Sequence, residues 1–136
     1  KLLNIIFLKS NNKYFKNEEN FYETNWLSLD ELNRLNFLKD PLCGIPFTVN
    51  GFYTLINLNI QATKKNWTKA IPQSLPIYFV SGADDPIGDF GKGVLQSYKD
   101  LEQNGFEKVS IKLYPNLRHE ILNESIKEQV YQDIVL

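Results

Sequence analysis

Two residues in the second half of this 136-residue chain could pass a proton between them. One is Asp85, in Gly82-Ala83-Asp84-Asp85-Pro86-Ile87-Gly88-Asp89, and the other is His119, in Tyr114-Pro115-Asn116-Leu117-Arg118-His119-Glu120. An imidazole accepts and returns protons near neutral pH, and a carboxylate bonded to its far nitrogen fixes the tautomer and stabilises the imidazolium. Such a pair is the proton-handling half of a Ser-His-Asp machine. The other half would be a serine on a G-x-S-x-G elbow. No serine of the chain, Ser81 included, has glycines two residues before and after it. His119 is the sole histidine, so the chain offers no second imidazole base. The competing acids are Asp84 and Asp89, and the plain alternative is a loop histidine beside turn-forming aspartates.

The elements that must position this pair are two strand-like runs. Ile77-Tyr78-Phe79-Val80 is a continuous apolar run of the kind buried on both faces of a parallel sheet. Val109, Ile111 and Leu113 alternate with polar residues, as on a strand nearer an edge. Between them, Val94, Leu95, Tyr98 and Leu101 mark an amphipathic helix closed at Asn104-Gly105. A last helix from about Asn123 carries Ile126, Val130 and Ile134 on one side. Strands alternating with helices imply a parallel α/β sheet whose ligands sit at the strands' carboxyl ends, where Asp85 and His119 both fall.

Residues 1–70 follow a helical, aromatic-rich rhythm instead. Ser28-Leu29-Asp30-Glu31 reads as a capping box, with Leu29, Leu32, Leu35 and Leu38 as the buried face of a helix at 28–38. Val49, Phe52, Tyr53, Ile56 and Ile60 predict a second helix at about 48–63. Phe47, Phe52 and Tyr53, with Trp26 and Trp67, are candidates to wall an apolar substrate pocket, or else simply core. The chain therefore divides into a helical segment, 1–70, and a βαβα segment, 71–136. Two strands do not make a stable sheet, so further strands are expected upstream of Lys1 or from another chain. An oligomer is possible. The initial Lys1 and the absence of methionine fit a piece of a longer protein.

Composition narrows the classes. A 43% hydrophobic and 23% charged content is that of a folded domain rather than a disordered one. With 15 basic and 16 acidic residues, the net charge of -1 gives no overall field for nucleic acid. Leu2 to Leu8 is too short an apolar stretch to cross a bilayer and has no signal cleavage site. The single Cys43 forms no intrachain disulfide, which favours a reducing, cytoplasmic setting. One histidine and one cysteine are too few for a zinc site, and no metal is expected. The Asp85 loop lacks the ligand spacing of a calcium loop, and Gly91-Lys92-Gly93 lacks that of a phosphate loop. Asn66-Trp67-Thr68 matches the glycosylation acceptor triplet, which means little without a secretory signal.

The stretch Gly82 to Gly88, followed by Tyr114-Pro115-Asn116-Leu117-Arg118-His119-Glu120-Ile121-Leu122-Asn123-Glu124, resembles the acid and histidine motifs of the α/β-hydrolases. The likeness is greatest to the monoacylglycerol lipase and lysophospholipase-like branch. Asp40 to Tyr53 is similar to the cap region of that branch. The resemblance implies the C-terminal part of an α/β-hydrolase fold preceded by a helical cap, with Asp85 as catalytic acid and His119 as general base. It implies a serine supplied by the upstream part of the same protein, a small lipid ester as substrate and no cofactor. A non-catalytic ligand-binding or scaffold member of the fold is the alternative, and an aspartate-nucleophile enzyme a third reading.

Overall fold

The β-branched and aromatic residues from Ile77 and from Val109 extend side by side as a parallel pair. A computed structural model of the chain describes residues 5–6, 10–19 and 23–135. In it β1 (Ile77–Gly82) and β2 (Val109–Tyr114) run in register from Ile77 opposite Val109 to Gly82 opposite Tyr114. The two strands form the sheet among the described residues. Within this chain their side chains are mostly half-buried, and Tyr78 is exposed. Here the faces of two strands are covered only in part.

The rest of the order is α1 (Glu31–Lys39), α2 (Val49–Ala62), a 3-10 turn (Trp67–Ala70), then β1, α3 (Lys92–Gln103), β2, a second 3-10 turn (Ile121–Asn123) and α4 (Lys127–Ile134). Helix α3 matches its expected face. Leu101 is wholly buried, and the chain leaves through Asn104 and a left-handed Gly105. Tyr114, Leu117, Ile121 and Val130, with Val80 against them, form one apolar cluster beneath the strand ends. Phe15, Trp26 and Leu27, with Phe37, form another.

Expectations for three helices are corrected. Helix α1 starts at Glu31 with Asp30 as its N-cap, whose side chain accepts from the Asn33 amide, so Ser28 to Glu31 is not a capping box. Ser28 Oγ accepts instead from the Asp30 amide. Leu29, Leu32 and Leu38 are exposed, while the buried residue of α1 is Arg34, which donates to the Ser28 and Leu29 carbonyls. On α2 only Phe52 of the expected row is buried, and Val49, Tyr53, Ile56 and Ile60 face outward. Helix α4 begins four residues later than expected. Glu124 is held in extended backbone, where its carboxylate accepts from the Leu29 and Asp30 amides. Val130 of α4 is buried, but Ile134 and the N-cap residue Ile126 are exposed.

The stretch Leu2 to Leu8 lies largely outside the described residues. No described helix is long and apolar enough to cross a membrane. Thr68 of the glycosylation triplet is buried in its 3-10 turn.

Candidate active site

The loop after β1 turns at once, because the Ala83 amide bonds the Tyr114 carbonyl and the Asp84 amide bonds the Leu117 carbonyl. Each bond ties the acid loop to the histidine loop. Gly82 makes this possible: a Cβ there would lie 2.2 Å from the Arg118 carbonyl oxygen and 2.3 Å from that of Leu117. Past Gly82, Asp85 is buried, and its Oδ1 accepts from the Ile87 amide at 2.9 Å in a turn of the kind aspartate favours. The backbone then passes through left-handed Asp89, Phe90 and Gly91 into α3. On the other loop, a left-handed Asn116 follows Pro115 and reverses the chain after β2.

Asp85 Oδ2 lies 2.9 Å from His119 Nδ1. A carboxylate only accepts, so Nδ1 carries the proton and Nε2 keeps the lone pair. The bond to Asp85 raises the imidazole above its ordinary value. Partial burial works against that rise, and the nearby negative charges of Asp85 and Glu120 add to it. Neither Asp84 nor Asp89 takes this position.

The histidine loop is also fastened to the segment before α1. The Glu120 amide donates to the Leu27 carbonyl at 2.8 Å, and the Glu120 carboxylate accepts from the Asn33 side chain at 2.7 Å. Buried Arg118 pairs with Glu18, donates to the Asn25 carbonyl at 2.6 Å and lies over the Phe15 ring. His119 is thus clamped between two anchored neighbours. The Trp26 ring, 5.1 Å away and tilted by 41°, flanks the imidazole.

A cavity of about 450 Å³ opens beside His119. Trp26, Leu27, Phe37 and the loop from Leu42 to Phe47 make its largely apolar wall, with Glu120 on the rim. A second, of about 370 Å³, also touches His119, near Val80 and Ile134. Of the three expected pocket aromatics, Phe47 lines the first cavity. Phe52 packs behind it with ring centres 5.4 Å apart, and Tyr53 is exposed on α2 and lines neither. Trp67 is elsewhere, donating to Asp100 of α3. Cys43 lines the larger cavity, but burial, then the charges of Asp40 and Glu120, raise its thiol pKa, which disfavours the thiolate a nucleophile needs.

Sequence reasoning missed Gly82, Arg118 and Glu124 as supports of the pair, and saw Trp26 only as a possible wall. Among the described residues no group of three or more His, Cys, Asp or Glu is placed to hold a metal ion.

Comparison with known proteins places these features in context. The chain is similar in fold to a highly thermostable carboxyl esterase from Bacillus coagulans in complex with glycerol, with a TM-score of 0.80 and 24% identity over 98% of this chain and 48% of that one. It is also similar to a lipase in its open form, with a TM-score of 0.81 and 25% identity over 94% of this chain and 42% of that one. The chain therefore spans less than half the length of either structure. No curated protein sequence matches it. A family model described as "Serine aminopeptidase, S33" matches residues 3–126, so the chain, with its parallel strands and crossover helix, belongs to that family of α/β-hydrolases.

Proposed function

We propose that this chain carries the acid and base of a serine carboxylic-ester hydrolase acting on monoacylglycerol or lysophospholipid-like esters. The observation that carries the reading is the 2.9 Å contact between buried Asp85 and His119 at the edge of an apolar cavity. An attacking serine would come from an upstream part of the same protein. His119 Nε2 would take the hydroxyl proton as the serine oxygen bonds to the ester carbonyl carbon, then deliver it to the departing alcohol oxygen. Water would repeat the sequence on the acyl-enzyme, with Asp85 holding the imidazolium in place throughout. Residues 1–70 would form the cap, and the wall from Leu42 to Phe47 would receive the acyl chain. The chemistry requires no cofactor, and a cytoplasmic setting suits the lone cysteine.

The test is hydrolysis of a short p-nitrophenyl ester by the complete protein and by its His119→Ala variant. Loss of turnover by several orders of magnitude supports the reading, and ordinary turnover in the variant refutes it. Amide hydrolysis is a second reading, favoured by the description of the matching family model. Faster turnover of an aminoacyl p-nitroanilide than of the ester would select it.

A further inference from the structure

Glu120 follows His119 in the chain and lines both of the cavities that touch the imidazole. Its carboxylate is held there from two elements. Oε2 accepts from the Asn33 side chain of α1 at 2.7 Å and from the Asn123 side chain of the second 3-10 turn at 3.2 Å. Both donors are uncharged amides, which fix a carboxylate in place without cancelling its charge. The basic residues beside these partners in sequence are turned elsewhere, Arg118 to Glu18 and the Asn25 carbonyl, Arg34 to the Ser28 and Leu29 carbonyls. No lysine or arginine is among the described residues that line either cavity. The charge of Glu120 is felt at two groups of the larger cavity. After the bond to Asp85, and against the effect of burial, it adds to the rise of the imidazole pKa; after burial and the charge of Asp40, it adds to the rise of the Cys43 thiol.

We propose that Glu120 is a specificity-determining residue on the alcohol side of the ester, admitting uncharged alcohols and rejecting those that carry an anionic group. His119 Nε2 has to face the departing alcohol oxygen to return its proton, so the alcohol stands beside the imidazole while the acyl chain runs along the wall from Leu42 to Phe47. A fixed carboxylate on the residue next to His119 then meets the alcohol's substituents. Beside a largely apolar wall, repulsion between like charges is stronger than in open water. Any substrate of His119 must come to the imidazole, whatever else of the complete protein surrounds the site. This role rests on the ester-hydrolase reading above and narrows it, from monoacylglycerol or lysophospholipid-like esters to those whose head group carries no net negative charge.

The test compares kcat/KM of the complete protein for 1-butyrylglycerol and for 1-butyrylglycerol 3-phosphate, which differ only in the phosphate. The neutral ester should be favoured by about tenfold or more. Glu120→Gln keeps an oxygen for both asparagine amides and removes the charge, and it should narrow that ratio at least about fivefold. The ratio is the readout because a merely structural role of Glu120 would lower both rates together and leave it alone. In the parent protein, raising salt from about 0.01 M to about 1 M shortens the screening length from about 30 Å to about 3 Å. The ratio should narrow there too, a measurement that needs no variant to fold. A parent ratio near one, a ratio that a folded Glu120→Gln variant leaves unchanged, or a ratio indifferent to salt would each overturn the proposal while leaving the ester-hydrolase reading standing. No turnover of either ester by the parent would instead refute that reading, and the role of Glu120 with it.

Discussion

Adding one methyl group at Gly82 should uncouple the acid from the base. The Cβ of a Gly82→Ala variant would sit 2.2 Å from the Arg118 carbonyl oxygen, whereas real Cβ contacts essentially never fall below 3.0 Å. The listener to that clash is backbone on both sides, which cannot rotate away as a side chain would. The loop from Leu117 to Arg118 must therefore retreat by about 0.8 Å or more, and His119 is the next residue. A shift of that size along the 2.9 Å contact takes Nδ1 and Oδ2 beyond hydrogen-bonding reach. Overpacking of this kind costs about 1–3 kcal/mol. Urea unfolding of the Gly82→Ala variant should show a loss in that range, and the sole imidazole should change its chemical shifts. Stability within about 0.5 kcal/mol of the parent, with unchanged imidazole shifts, would refute the reasoning.

Three further outcomes are expected. Glu124 is almost fully buried and accepts from two backbone amides, so Glu124→Ala should lower stability by about 2–4 kcal/mol in urea unfolding, with Glu124→Gln losing less. The folded-state pKa of His119 is raised, so its pairing with Asp85 contributes stability that is fully present below the unfolded value of about 6.5 and is lost as pH rises through the folded value. Urea midpoints should fall over that interval, and Asp85→Asn should flatten this part of the profile. In the complete protein, Phe47→Ala should raise KM by about fivefold with kcat nearly kept, as expected for losing about 1 kcal/mol of apolar contact along the cavity wall.

The pairing of Asp85 with His119 was legible because its signals are local. Each strand is a short apolar or alternating run, each ends in a loop, and the chain has a single histidine. The helix α1 start was not legible, because Ser28 and Asp30 are both good caps. The choice is fixed by Glu124, 95 residues from Leu29 in sequence, which occupies the intervening amides. The same distant contact delays α4. Periodicity found α2 to within a residue at each end, but it identifies a stripe without saying what covers it, and this stripe faces outward. Gly82 carried no sequence signal beyond being a glycine at a strand end. Its role appears only when the histidine loop is brought against it. Trp26 is similar: nothing in its spacing from His119 predicts that the two rings meet.

The central claim is that Asp85 holds His119 as a working base, and the sole histidine permits a direct measurement. Titration of the imidazole nitrogens by NMR should give a protonated Nδ1 in the neutral form and a pKa above the ordinary histidine value, both lost in Asp85→Asn. An unraised pKa, or a titration indifferent to Asp85→Asn, would contradict the account.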